Sequence, residues 1–361
     1  MAIDSITPTT QPTATDRAAA GIAVAVPIPN DPDWALFDAI PDDIPILVVD
    51  DSDGKLAPPP RGNVTYYDYA AQRDIMGEHY DAIPHKSAAT RNFAHYVAYR
   101  EGYDVIIALD YDCRTRPGWL ESHLECLGLV DQAPALAGAW VNTVEQPGFF
   151  ARGFPYEYRN PTAAAVSETV ASGDVKLNMG VWDNILDLNG IDKVQAEPPY
   201  DPGLRGDRNY VALGNVPVCG MNTSFAAELT PAYFFLPDVW VNGSWHLSRH
   251  DDIWGGYVVK KLMDLRGDLL SFGRPVVEHT RQSTIERVMM MEHWMHLMSM
   301  PFYRLIDRAV ERLRPGAYDQ MFGALTEEFR SEVERAELPE HYREVFRSLG
   351  VSMDKWARCF A

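Results

Sequence analysis

The chain has 361 residues, 46% hydrophobic and 11% aromatic, enough for one large α/β domain or two smaller ones with a core that folds independently. Its 32 basic against 51 acidic residues give a formal charge of −19, which repels nucleic acid and anionic membrane as general partners and makes a phosphorylated substrate depend on local metal or local arginine. No apolar run approaches the roughly 20 residues of a membrane helix, the N-terminus does not read as a signal peptide, and Cys113, Cys126, Cys219 and Cys359 lack the spacing of a zinc site or disulfide framework, so a cytoplasmic enzyme acting on a soluble anion fits.

Residues 1–19 are rich in Thr, Pro, Ala and Asp and are expected to form a disordered tail. The run Ile22–Val26 predicts a buried first strand and Ile44–Val49 a second, which ends in Asp50-Asp51-Ser52-Asp53. At such a strand end Asp51 and Asp53 are placed to accept hydrogen bonds from a base or ribose. Between Lys86 and Gly102, Ala89, Phe93, Tyr96 and Val97 recur at threes and fours, the pattern of an amphipathic helix. Lys86 and Arg91 at its start are candidates for phosphate or nucleobase contact.

That helix feeds the strand Val105–Leu109, which ends in Asp110-Tyr111-Asp112. Two carboxylates at the carboxyl edge of a sheet offer hard oxygen ligands that hold Mg2+ or Mn2+ against a diphosphate. Pro117 opens a helix through Leu127, and 136–141 reads as a returning strand. From 148 to about 215 the pattern is irregular, rich in Pro, Gly and Asn, as expected for the substrate side of a site. Trp182 is suited either to stacking on a sugar face or to the core. Gly220 permits close backbone approach, Asn222 offers donor and acceptor to sugar hydroxyls, and Cys219 reads as a small buried residue. Asp251 and Asp252 open a further helix, where the dipole favours carboxylates. Beyond 284 the chain turns helical, with a face dense in methionine from Met289 to Met300 that suits core packing or a homo-oligomer contact.

Seven segments together resemble the family of reversibly glycosylated polypeptides, which includes the UDP-arabinopyranose mutases: VDDSDG at 49–54, KSAATRNF at 86–93, ALDYDC at 108–113, FFARGFPYEYR at 149–159, VWDN at 181–184, VCGMNTSF at 218–225 and SRHDDIWGGYVVK at 248–260. They keep their order over roughly 21–282. The resemblance implies an α/β, GT-A-like fold with a mostly parallel twisted sheet over 20–283, a helical C-terminal region over 284–361, a divalent cation, and a UDP- or GDP-linked sugar, of UDP-arabinose or GDP-fucose type, interconverted between pyranose and furanose rings. Transfer of the sugar to an acceptor, or to the protein itself, is the alternative. Two departures stand out: Tyr111 interrupts the family's three-Asp run, and Asp51-Ser52-Asp53 stands for Asp-Gly-Asp.

The resemblance assigns Asp112 and His279 to the metal, with Asp110 nearer the ribose and the metal-bound water and Tyr111 in the substrate site. Arg152 aligns with the arginine that family members are reported to glycosylate. Guanidinium is a poor nucleophile, so Arg152 and Arg159 are expected to clamp the diphosphate bidentately, with the covalent route as the other option. Asp252 and His250 are the candidates for moving protons between the ring oxygen and the C4 hydroxyl, and Asp251 for binding sugar. The flavin route to such products is not expected, since no Gly-x-Gly-x-x-Gly follows the first strand.

Overall fold

The computed structural model describes residues 21–361 except Asp31, Asp53, 57–60, Pro147, Pro161, 163–164, Leu186, 196–203, Ser244 and Gln282. The expected tail and Asp53 lie outside the described residues. The strands are β1 (Ile22–Ile28), β2 (Ile46–Asp50), β3 (Val64–Tyr67), β4 (Val105–Leu109), β5 (Cys113–Arg114), β6 (Gly128–Ala137), β7 (Ser167–Asp183), β8 (Tyr210–Ala212), β9 (Asn222–Ala226), β10 (Val239–Val241), β11 (Trp245–Leu247) and β12 (Leu269–His279). The helices used below are α1 (Tyr69–Met76), α2 (Arg91–Arg100), α3 (Trp119–Glu125), α4 (Gly190–Gln195), α5 (Asp251–Arg266), α6 (Ile285–Val310), α7 (Tyr318–Arg335) and α8 (Glu340–Arg358).

The architecture is a GT-A-like α/β core with a mixed sheet and a helical C-terminal region. β3, β2, β1 and β4 form a parallel block. β1 and β2 are buried along their whole length, which is why they read as unbroken apolar runs. Beyond β4 the sheet becomes mixed: β9 runs antiparallel between β4 and β7, and β12 runs parallel to β7. The expected helix over 86–102 forms as a 3-10 turn at Ala88–Thr90 followed by α2.

Two expectations are corrected. The segment taken as irregular contains β7, whose 17 residues pair with β6, β9 and β12. Its first half is exposed and carries Ser, Glu, Thr and Asp, so it lacks the apolar run that marked the earlier strands. The strand expected at 136–141 instead occupies Gly128–Ala137 as the antiparallel partner of β7.

β5 follows β4 in sequence yet pairs with the end of β12, through Cys113 opposite His279 and Arg114 opposite Glu278. The chain leaving β4 at Asp110 is thereby folded back against β12, and this builds the site. α6, α7 and α8 share one apolar core with the sheet layer. Trp254 of α5 stacks on Phe302 of α6 at 4.4 Å, and Phe234 stacks on Trp356 of α8 at 5.1 Å. The methionine face divides accordingly: Met295 and Met298 are fully buried, while Met289 and Met290 are exposed. Among the described residues no helix is long and apolar enough to cross a membrane.

Candidate active site

The site lies at the carboxyl edge of β4, β7 and β12. Asp112 Oδ2 and His279 Nε2 face each other at 3.9 Å. His279 Nδ1 is 2.8 Å from the carbonyl of Ile185, which can only accept, so Nδ1 carries a proton and Nε2 is the ring atom turned toward Asp112. Thr280 donates its amide and hydroxyl to the Asp112 carbonyl at 2.9 and 2.7 Å. Burial and the neighbouring Asp110 push the Asp112 carboxyl up to about 6, a cost that a cation would remove.

Arg91 Nη2 lies 2.9 Å from Asp110 Oδ1 as an ion pair. The approach is off the hydrogen-bond direction, so this buried oxygen has no hydrogen-bond partner. Arg91 is otherwise consumed by the carbonyls of Ala88 and Gly220, at 3.2 and 3.1 Å, and lies over the Phe235 ring. It orients Asp110, and its expected contact with substrate would share these donors. Among the described residues no three His, Cys, Asp or Glu side chains converge as a closed metal set. The donor chemistry still fits a divalent cation: two acceptors face across a gap, an unsatisfied carboxylate oxygen stands nearby, and hard cations commonly take few protein ligands and complete their shell with phosphate and water.

Behind this edge runs a buried ladder of charges. Arg152 spends all five guanidinium hydrogens: Nε to Asp187 at 2.5 Å, Nη1 and Nη2 to Asp252 at 2.8 and 2.7 Å, Nη1 to the Arg249 carbonyl at 2.8 Å, and Nη2 to Cys219 Sγ at 3.6 Å. Arg249, held at a left-handed φ of 59°, continues to Asp187 at 2.9 Å and to Glu292 of α6 at 2.8 Å. Glu292 also accepts the amide of Gly190, which starts α4, at 2.7 Å. Burial opposes the charge on Arg152, but Asp187 and Asp252 outweigh it and hold the guanidinium more firmly protonated than usual. Asp252 is likewise opposed by burial and lowered by Arg152. In this arrangement Arg152 has no free donor for a clamp and its proton is held harder, so either expected role would first require these contacts to open. Arg159 is also committed, bidentate to Asp192 of α4 at 3.0 and 2.8 Å and seated 3.8 Å over Tyr156.

The proton candidates change places. His250 is fully buried against Trp254 and kept neutral, pushed down to about 3 by burial, so it does not titrate near neutrality. Asp252 is locked to Arg152. Asp251, in the first turn of α5, is 6% exposed, and its carboxylate accepts no hydrogen bond among the described residues. Burial and the charge of Asp252 push it up to about 7. A buried carboxyl raised in this way beside a second carboxylate is a candidate acid or base.

At the end of β2 Asp51 Oδ1 accepts the Lys86 amide at 2.7 Å and the Tyr69 hydroxyl at 3.2 Å, leaving the Lys86 side chain exposed. Asp50, passed over in the sequence, organises this loop: it is fully buried and accepts from Tyr66 at 2.5 Å, Ser52 at 2.6 Å and Gly54 at 2.9 Å. Three further candidates are engaged by the protein itself, Trp182 in the second of its two expected settings. Asn222 is fully buried and saturated by Trp119, His123 and the carbonyls of Val181 and Pro275, so it has no group for a sugar. The backbone approach that requires Gly220 is to Phe235, 2.4 Å from where a Cβ would stand. Trp182 is 5% exposed on β7 and belongs to the core.

The profile of the family "reversibly glycosylated polypeptide" matches residues 38–360. The chain belongs to the reversibly glycosylated polypeptide family. Within it, "Probable UDP-arabinopyranose mutase 2" of Solanum tuberosum and "UDP-arabinopyranose mutase 1" of Arabidopsis thaliana are each 26% identical over 253 residues, covering 66% of this chain and 63% and 64% of those proteins. The chain therefore spans under two thirds of the length of the curated relatives it matches. A solved structure of glucosyl-3-phosphoglycerate synthase from Mycobacterium tuberculosis with Mn2+, UDP and glucosyl-3-phosphoglycerate superposes with a TM-score of 0.40 and 10% identity, over 82% of this chain and 87% of that one. Within this family member, Asp187, Asp192, Arg249 and Glu292 are the candidates that sequence reading missed. The first two lie in the irregular stretch from 148 to about 215, Glu292 is isolated on a helix, and Arg249, although inside the segment 248–260, carries no mark that separates it from its neighbours.

Proposed function

We propose that this protein is a metal-dependent nucleotide-sugar mutase that interconverts pyranose and furanose forms of a UDP- or GDP-linked sugar. The observation that carries the reading is the facing pair Asp112 and His279, 3.9 Å apart, with Asp110 beside it at the carboxyl edge of the sheet. Family membership, with relatives named UDP-arabinopyranose mutase, makes UDP-arabinopyranose the first substrate to test.

Asp112 and His279, with Asp110 alongside, would hold the cation, which when bound supplies Lewis-acid stabilisation of a leaving diphosphate. Asp51 and the exposed Lys86 side chain receive the nucleoside end. The isomerisation breaks the C1–diphosphate bond, joins the C4 oxygen to C1, releases the former ring oxygen and restores the diphosphate to C1. One proton leaves the C4 hydroxyl and one arrives at the former ring oxygen, so no external reagent is consumed. Asp251 is the residue suited to carrying that proton. Arg152 and Asp252 act by positioning, since they are paired with each other and Arg152 has no donor to spare, and Arg91 and Arg159 orient Asp110 and Asp192.

Incubation with UDP-arabinopyranose or GDP-fucose and Mn2+, without acceptor, followed by chromatography tests the reading. A new isomeric nucleotide sugar supports it. Slow hydrolysis alone would favour a transferase and overturn it.

A further inference from the structure

We propose that Arg281 is the guanidinium that receives the diphosphate and that Tyr111 is the platform that aims it, a reading that rests on the nucleotide-sugar function above. The arginines around the site divide by what they already touch. Arg91, Arg152 and Arg159 are tied to Asp110, Asp252 and Asp192, and Arg116 is paired with Asp183, its Nη2 donating to both carboxylate oxygens at 2.9 and 2.7 Å. Arg281 is exposed, and among the described residues it makes neither a hydrogen bond nor an ion pair. In a chain with 51 acidic residues, a cation beside an acidic loop that remains unpaired is available for an incoming anion.

Its place is fixed from both sides. Arg281 is two residues beyond His279 and one beyond Thr280, whose two hydrogen bonds to the Asp112 carbonyl hold this end of β12 against the acidic loop. Its guanidinium carbon lies 5.7 Å from the centre of the Tyr111 ring, within cation–π reach. The Tyr111 hydroxyl accepts from Asn30 Nδ2 at 3.2 Å, which steadies the ring. Tyr111 thus gains a role at the position where it interrupts a run of aspartates: an aromatic face there holds a cation above the carboxylates, where a third carboxylate would quench it. A planar guanidinium so held offers the paired donors that match phosphate oxygens.

Calorimetric titration with inorganic pyrophosphate, UDP, GDP and UMP in the presence of Mn2+ tests this on wild type, Arg281→Ala, Arg281→Lys, Tyr111→Ala and Tyr111→Phe. Arg281→Ala should weaken pyrophosphate and the bound nucleoside diphosphate about tenfold while UMP changes less than about threefold, as expected for loss of a charge-assisted bidentate contact. Lysine should recover part of the loss. Tyr111→Ala should reproduce part of it and Tyr111→Phe, which keeps the ring face, should not. Thermal unfolding of the exposed Arg281 variants should be unchanged. Pyrophosphate and diphosphate affinities within about twofold of wild type in Arg281→Ala, or an equal loss for UMP, overturn the assignment. Arg281-dependent binding of pyrophosphate with no binding of UDP or GDP would sink the nucleotide-sugar reading and leave the anion site standing; wild type that binds none of them overturns both.

Discussion

Thr280 donates twice to the main-chain carbonyl of Asp112, at 2.9 Å from its amide and 2.7 Å from its hydroxyl. Residues 168 apart in sequence are fastened at the point where β5 meets β12, so the Asp112 and His279 side chains face each other through backbone pairing. Asp112 lies in the turn between β4 and β5 and His279 at the end of β12, so two strands support the pair.

Asp112→Asn separates a metal role from a structural one. The amide keeps the shape but removes the charge that burial and Asp110 penalise. Without metal the variant should unfold at the wild-type temperature or slightly above it. Stabilisation by Mn2+ with UDP or GDP, read by thermal shift, should disappear. Retention of the full metal-dependent shift would dismiss Asp112 as a ligand.

The pH dependence of metal-free stability follows from two raised carboxyls, Asp112 at about 6 and Asp251 at about 7, against an ordinary value of 3.8. Between these values the folded protein binds more protons than the unfolded chain, so these groups contribute most below about pH 4 and their contribution is lost as pH rises toward 7. Mn2+ should cancel the Asp112 share, making the metal-induced rise in Tm larger at pH 7.5 than at pH 5. An equal rise at both values would contradict the assignment.

Arg152→Ala would strand the buried Asp252 and leave the buried Asp187 with Arg249 alone. Breaking a buried pair from one side costs about 3 to 5 kcal/mol, so urea unfolding should show a loss of that order or failure to fold. Because all five donors are occupied, Arg152 in the folded wild type should acquire no sugar adduct. Intact mass after incubation with nucleotide sugar, followed by peptide mapping, checks this, and a stoichiometric adduct on Arg152 would require the ladder to open.

What the sequence disclosed and what it withheld follow one physical division. β1, β2 and β4 were legible because strands buried on both faces are continuous apolar runs, and the Asp110 to Asp112 loop because it ends such a run. His279 could be tied to that loop only through the family resemblance, since the β5–β12 pairing joins distant segments and leaves no local trace. Polar residues were the hardest to read. Asn222, Arg152 and Arg159 have the chemistry of ligand contacts, yet buried polar groups must be satisfied somewhere, and here other parts of the protein satisfy them. Asp251 and Asp252 are adjacent and alike in type. Only the position of Arg152 decides which is locked and which is free to titrate.

That distinction gives the most discriminating test of mechanism. Asp251 titrates near 7 because it is buried beside the charged Asp252, and Asp252 stays ionised because Arg152 holds it. If Asp251 takes the proton from the C4 hydroxyl, its ionised form is the active one, so wild-type kcat should fall as pH drops below about 7. Asp251→Asn removes the titrating group but keeps the size of the side chain; kcat should fall about 100-fold or more and lose the limb near pH 7, while UDP or GDP affinity stays near that of wild type. Asp252→Asn, in contrast, loosens the grip on Arg152 and should lower the unfolding temperature as well as activity. The test is the pair of pH–rate profiles with the two melting curves: a limb near pH 7 that persists in Asp251→Asn would place the proton transfer on another residue.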